Sequence, residues 1–427
     1  MENLAEAEAQ CDSPISICLY CAIPEQNQFE VRRYGFRDCS KSILRNVLNA
    51  ALTSLTGRLK FDVHSYKVAN SLDDNSNRGD MAIRIALRSQ LEIAFSPRKL
   101  SFSEVKWGDL ARHLHTINSD ASLFLIAGGG YLSIDGDGSP WGMLAKSQIL
   151  EELKCPIVAS GIGLNRLMNE PLSDISGLPE ETRSRIYKLS ALCRKISVRD
   201  LNTVALFAAY GQKNAVLTGD PVLYFDDEAR PPSLQSARMK IGINLASHGP
   251  RTHSILEPIL PDIIRLLRWI QQDRDAEFVY LMHHDFERPI AEYLRRKGVK
   301  LQIIDLPPEG LIGAYKGLDF VINQMLHSCI FAANAGVPFL NMAYDIKCRA
   351  FCTLLDVPEC GLDSEGVSFE LMKARLEELF QNRATLSVRI LEHKTILRAE
   401  GLAFLKELVN LVTEQRSDLR ATATAAP

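Results

Sequence analysis

Short runs of β-branched and other apolar residues alternate with amphipathic stretches along most of the chain. This alternation predicts a parallel α/β fold. In the first half, strands are expected at Ile15–Ile23, Asp62–Val68, Leu123–Ala127, Pro156–Ser160, Lys195–Val198 and Ala215–Leu217. Ser42–Ser54, Met81–Ile93 and Leu201–Tyr210 read as helices between them. Asp200 is placed to cap the last of these and Gly211 to end it in the left-handed conformation. Around Pro231-Pro232-Ser233-Leu234-Gln235-Ser236 the pattern breaks into turn-forming residues, as a linker does. It restarts with strands at Lys240–Leu245, Phe278–Met282, Leu301–Ile304, Phe320–Ile322 and Pro338–Met342, and ends in helical stretches at Glu370–Phe380 and Ala384–Gln415.

A chain of 427 residues exceeds one ordinary core. The expected organisation is a Rossmann-like domain over residues 1–232 and a second over 233–383, facing a cleft in the GT-B manner. A C-terminal helix over 384–418 would pack back across them, and residues 419–427, with nothing to bury, would be disordered. Ligands of such folds bind at the carboxyl ends of strands, so the residues just after each strand are the ones to read for chemistry.

Composition narrows the partners. A net charge of −3 argues against nucleic acid and leaves a small molecule or sugar. No stretch reaches the ~18 apolar residues of a membrane span, and the acidic start Met1–Gln10 is unlike a signal peptide. A cytoplasmic location is expected, with any lipid-linked acceptor met by peripheral contact at the membrane face. The ten cysteines are scattered, as suits a reducing compartment. Cys18 and Cys21 form a CxxC, but within a strand this odd spacing puts them on opposite faces. Asp135-Gly136-Asp137-Gly138 has the spacing of a metal-binding DxD, yet its glycines favour a surface turn.

Six segments sit where a site would form. Asn77-Arg78-Gly79-Asp80 opens a helix whose first amide groups suit an anion, or else makes a simple Asx-type entry. Gly128-Gly129-Gly130 follows a strand and permits close approach of another group. Ser160-Gly161-Ile162-Gly163 is a second glycine-bearing strand end. Ser197-Val198-Arg199-Asp200 places at a strand end a guanidinium able to grip phosphate or carboxylate in two places. Thr218-Gly219-Asp220-Pro221 adds a carboxylate. Met325-Leu326-His327 begins a small-residue helix ending at Gly336-Val337-Pro338, and Tyr344-Asp345-Ile346-Lys347 begins the next, so His327 and Lys347 lie on neighbouring strand ends. His283 and His284 follow another strand of the second half.

Taken in order, these segments resemble the polysaccharide pyruvyl transferase family, whose pattern includes N-x-G-D, a glycine triplet, S-x-R-D, G-D-P, R-L-H with a small-residue helix and G-x-P, and Y-D-x-K. The resemblance implies transfer of the enolpyruvyl unit of phosphoenolpyruvate onto two sugar hydroxyls, giving a pyruvate ketal and free phosphate. It implies His327 as the acid/base residue, with Arg199 and Lys347 holding the anionic donor. Asn77, Gly79, Asp80, Gly129, Gly130, Asp220 and His283 are expected to line the substrate site, and no metal or cofactor is expected. The chain departs from the family at Met325, where R-L-H has arginine; Arg349, on the helix opened by Lys347, is the candidate replacement. The other readings are a GT-B-like glycosyltransferase using a nucleotide sugar and a non-catalytic carbohydrate-binding relative.

Overall fold

The computed structural model describes residues 14–23, 36–60, 62–70, 77–166, 177–225, 238–246 and 250–424. Two separate, wholly parallel sheets organise them. The first runs in the order β2-β1-β3-β5-β6-β7, with β4 beside β5. Its strands are β1 (Ile15–Cys21), β2 (Leu100–Lys106), β3 (Leu123–Ile126), β4 (Gly129–Ser133), β5 (Ile157–Asn165), β6 (Cys193–Val198) and β7 (Val216–Leu217). The second holds β8 (Lys240–Asn244), β9 (Glu277–Leu281), β10 (Leu301–Ile304), β11 (Phe320–Asn323), β12 (Phe339–Ala343) and β13 (Gly361–Asp363), ordered β10-β9-β8-β11-β12-β13. This is the doubly wound order, in which the chain reverses direction across the sheet between β8 and β11 and leaves a crevice at their carboxyl ends. Sheet membership changes between Leu217 and Lys240; the linker expected at Pro231–Ser236 lies outside the described residues.

Helices α1 (Phe36–Thr56), α2 (Val63–Ala69), α3 (Arg78–Phe95), α4 (Leu110–Asp120), α5 (Gly142–Ala145), α6 (Glu180–Leu192) and α7 (Leu201–Tyr210) accompany the first sheet in sequence. The second has α8 (Pro250–Arg274), α9 (Arg288–Arg296), α10 (Pro308–Tyr315), α11 (Leu326–Asn334), α12 (Ile346–Leu354), α13 (Phe369–Gln381) and α14 (Arg383–Thr424).

Strand β1 shows the period-two logic of a doubly covered sheet. Ile15, Ile17, Leu19 and Cys21 enter one apolar cluster, Cys18 and Tyr20 the other, so the CxxC thiols point to opposite faces. The first cluster is continuous through the molecule: it joins that face of β1, the inner face of α3, the second sheet and the closing helix α14.

Some expected elements differ. Asp62–Val68 is not a strand: the Asp62 carboxylate accepts the Ser65 amide at 2.7 Å, and this cap turns the β-branched run into α2. Strand β2 escaped the pattern because it lies at the sheet edge and is largely half-exposed. Strand β4 escaped because it begins within the glycine run. Asp200 caps α7 as expected, accepting the Thr203 amide at 2.8 Å, whereas Gly211 is extended (φ −80°) and not left-handed. Helix α14 continues to Thr424, beyond 418; residues 425–427 lie outside the described set.

The extension before Asn77 leans on the second half. The Tyr293 hydroxyl donates to the Gly57 carbonyl at 2.8 Å, and Lys60 pairs with Glu257 at 2.8 Å. Helix α14 fastens the molecule from another side, touching α3, β7 and α11. Ser387 donates to the Gly336 carbonyl (2.6 Å), and Lys394 donates to the Asn334 carbonyl (2.7 Å) at the end of α11. Toward the first half, a Cβ at Gly401 would lie 2.1 Å from the Tyr224 ring. An isolated helix gains about 1 kcal/mol on Gly→Ala. Gly401→Ala should instead destabilise by about 1–3 kcal/mol through overpacking, measured by chemical denaturation.

Candidate active site

Building the site starts with the glycines of β5. A Cβ at Gly163 would lie 2.3 Å from Nε of Arg199, so the guanidinium stem lies directly over bare backbone. A Cβ at Gly161 would lie 2.5 Å from Pro221, drawing the Gly219-Asp220-Pro221 turn against the same strand. Arg199 thereby meets Asp220 at 3.4 Å, both buried. Asp220 also accepts the Val222 amide (3.1 Å) and caps the short turn Pro221–Tyr224. Burial raises the pKa of both Asp220 and Asp200, and in each Arg199 is the leading opposing influence.

Across from Arg199 lies the start of α3. Asn77 caps this helix, its Oδ1 accepting the amides of Gly79 (3.0 Å) and Asp80 (3.3 Å). Those two amides are therefore engaged, and the Asx-type entry is what the structure has there. Asn77 Nδ2 donates to Asp80 at 2.7 Å. Asp80 retains partial access to solvent, yet its pKa is pushed up to about 6. Burial is the main cause; Arg199 and Lys347 oppose it and Asp220 adds to it.

From the second half come His327 and Lys347. His327 lies in the first turn of α11, directly after β11 and hence beside the β8/β11 crevice. A Cβ at Gly79 would lie 2.0 Å from both Cγ and Nδ1 of its ring. Glycine at 79 is thus the seat of the histidine, one residue from Asp80. Lys347 Nζ donates to Asn165 Oδ1 at 2.7 Å across the two halves and pairs with Asp345 at 3.2 Å. Asp345 caps α12 through the Lys347 amide (3.0 Å), and Ile346 inserts into the apolar cluster of the first half.

Gly128, Gly129 and Gly130 occupy the remaining side. Gly128 and Gly129 have φ of 75° and 86°, and a Cβ at Gly129 would come within 3.8 Å of Asp80. Gly130 packs on Asn165. Asn165 belongs to none of the six segments; its only sequence signal is its place at the end of β5, after a glycine-bearing stretch.

Two expectations change. His283 is not on the crevice: it is fully buried, its Nε2 hydrogen-bonded to the Tyr315 hydroxyl at 2.8 Å. Burial drives its pKa down to about 3, so it is neutral and unsuited to holding an anion. Arg349 does not replace the missing arginine, because it donates to the Gly361 carbonyl (2.7 Å) and pairs with Asp363 (3.2 Å). Met325 is buried and packs with the apolar core. Asp137 accepts from the amide and hydroxyl of Ser139 in an exposed turn.

Segments distant in sequence thus converge on one place: the Asn77 cap, the glycine run, Arg199, Asp220, His327 and Lys347. The model of one protein family, polysaccharide pyruvyl transferase, matches residues 77–346, running from that cap almost to Lys347. The chain belongs to the polysaccharide pyruvyl transferase family. No curated protein sequence gives a significant match. Similar solved structures include S. aureus MnaA with UDP (13% identity, covering 74% of this chain and 89% of that one, TM-score 0.49). A putative UDP-N-acetylglucosamine 2-epimerase from Listeria monocytogenes shows 13% identity over 95% and 97% of the two chains, with TM-score 0.45. A UDP-GlcNAc 2-epimerase from Methanocaldococcus jannaschii shows 12% over 70% and 88%, with TM-score 0.43. For this pyruvyl transferase family member, the contact of Gly79 with His327 joins the two halves of the site, as the Lys347–Asn165 hydrogen bond also does.

That link can be tested without substrate. Gly79→Ala should destabilise the protein by about 1–3 kcal/mol, as an added methyl in a packed site does. In a His327→Ala background the same change should cost little, because the ring atoms it meets are gone. A denaturation double-mutant cycle measures the coupling.

Proposed function

We propose that this protein transfers the pyruvyl unit of phosphoenolpyruvate onto two hydroxyls of a sugar in a polysaccharide or its lipid-linked precursor, releasing phosphate. The observation carrying this reading is the seat of His327 on Gly79, next to Asp80, with Arg199 and Lys347 converging on that carboxylate from opposite halves. The donor carries a phosphate and a carboxylate, and two fixed cations on opposite walls suit a molecule with two anionic ends. Eight of the described cysteines are buried as thiols, in keeping with action in the cytoplasm.

The reaction needs one proton delivered to the methylene carbon of the donor and two removed from acceptor hydroxyls. One acceptor oxygen bonds to the central carbon as the methylene becomes methyl. The second displaces phosphate from that carbon and closes the ketal, its proton leaving with the phosphate. His327 is assigned the proton transfer, since imidazole gives and takes protons near neutral pH. Asp80 is a second acid/base group, its pKa of about 6 lying close to working pH. Asp200, Asp220 and Asp345 stay committed to their capping bonds and hold Arg199 and Lys347 in place.

Four carboxylates surround two cations here, so an arriving anion raises the cost of keeping Asp80 ionised. Phosphoenolpyruvate binding should therefore take up a proton between about pH 6 and 7.5. Affinity should fall as pH rises through that window, and Asp80→Asn should flatten the dependence. Calorimetry in buffers of different ionisation enthalpy reads the proton count. Lys347→Ala should weaken donor affinity by about ten- to a hundredfold. His327→Gln should spare donor affinity while stopping phosphate release. Stabilisation by a nucleotide sugar but not by phosphoenolpyruvate in a thermal-shift panel would instead support a glycosyltransferase.

Met325→Arg should not tighten donor binding. Met325 is buried and packs with the apolar core, so the longer, charged arginine should overpack it and cost about 1–3 kcal/mol of stability. A melting curve beside a phosphoenolpyruvate titration checks both statements.

A further inference from the structure

Helix α1 faces the wrong way for a helix in water. Three of its polar side chains turn inward: Ser42 is buried, Asn46 Nδ2 donates to the Ser65 carbonyl (3.1 Å), and Thr53 Oγ1 accepts the Lys60 amide (2.9 Å). Its aliphatic side chains turn outward. Ile43, Leu44, Val47, Leu48, Leu52 and Leu55 are 45–83% exposed and share one side of the helix. Surface helices ordinarily do the reverse. Single exposed aliphatics need no explanation, whereas six on one face mark a contact surface.

Charge on this face selects the partner. Lys41 lies within the aliphatic arc and Arg45 on its border, both exposed. The helix carries one carboxylate, Asp38 in its first turn, and Asp62 lies close enough to Arg45 to feel its charge. A second copy packed on this face would bring two copies of Lys41 and Arg45 together with only Asp38 of each helix added to pair them. Anionic lipid headgroups supply that counter-charge while the acyl region takes up the aliphatic side chains. Among the described residues no helix is long and apolar enough to cross a membrane, so the contact is with the interface only.

We propose that α1 is a membrane-docking helix whose outward face enters the interfacial layer of a bilayer containing anionic phospholipid. The proposal rests on the helix alone and stands whether or not the donor is phosphoenolpyruvate. Because α1 and the segment after it are tied to Tyr293 and Glu257, docking would fix the orientation of both halves relative to the bilayer.

The test is sedimentation of the full chain with vesicles of phosphatidylcholine alone or with about one-third phosphatidylglycerol. Wild type should pellet with the mixed vesicles. The double substitution Leu44→Ser with Leu48→Ser should lower partitioning about tenfold or more. Lys41→Gln with Arg45→Gln should reduce binding to mixed vesicles and remove the preference for them over neutral ones. All four side chains are exposed, so melting temperatures should not change. Three results would overturn the proposal: wild type remaining in the supernatant, the double-serine variant binding like wild type, or a concentration-dependent dimer in ultracentrifugation that the double-serine variant dissolves.

Discussion

A glycine without a side chain, at the first turn of α3, holds the two halves of this protein in their working relation. The His327 ring occupies the space where any other residue at 79 would put its Cβ. The constraint works in both directions. It fixes where the imidazole lies relative to Asp80, and it requires β11 and α11 of the second sheet to abut the helix start of the first. Around it, Lys347 reaches Asn165, Ile346 enters the opposite core, and the Arg78 side chain donates to the Leu306 carbonyl (2.8 Å) and pairs with Asp285 (2.9 Å). The site is a seam closed by many short contacts, with ionisable groups lodged between its walls.

Electrostatics within that seam follow from burial. Carboxylates removed from water resist ionisation, and two cations partly offset this. Asp200, Asp220 and Asp345 accept backbone amides at element starts, so local folding secures them before any ligand arrives. Among the described residues, the Asp80 carboxylate accepts the Asn77 side-chain amide and no backbone amide, and it holds the most responsive charge. A second buried polar chain runs beneath the crevice, from His283 through Tyr315 to Ser328, next in sequence to His327. It consumes His283 structurally, and it gives α11 a polar anchor on its inner side.

Much of this was legible in the sequence because strand-end chemistry follows local rules. Asp200 announced itself as a cap, and the glycines before Asp80 and around Ile162 stood out at a helix start and a strand end, where His327, Arg199 and Pro221 pack against them. What pattern could not give was the identity of those partners, since Gly79 and His327 are brought together only by the folded halves. Asp62–Val68 misled because one capping carboxylate outweighed β-branched composition. His283 and Arg349 misled because position after a strand or on a helix says nothing about which way a side chain turns. Helix α1 was legible as a helix, while its reversed orientation appears only once Asn46 and Thr53 have partners.

The central claim is that residues from both halves hold one doubly anionic donor against His327. A crystal structure with an unreactive phosphoenolpyruvate analogue, such as phospholactate, tests it most directly. Phosphate and carboxylate should divide between Arg199 and Lys347, with the methyl carbon facing the His327 ring. An analogue held elsewhere, or touching only one half while Arg199 and Lys347 keep their present partners, would contradict it.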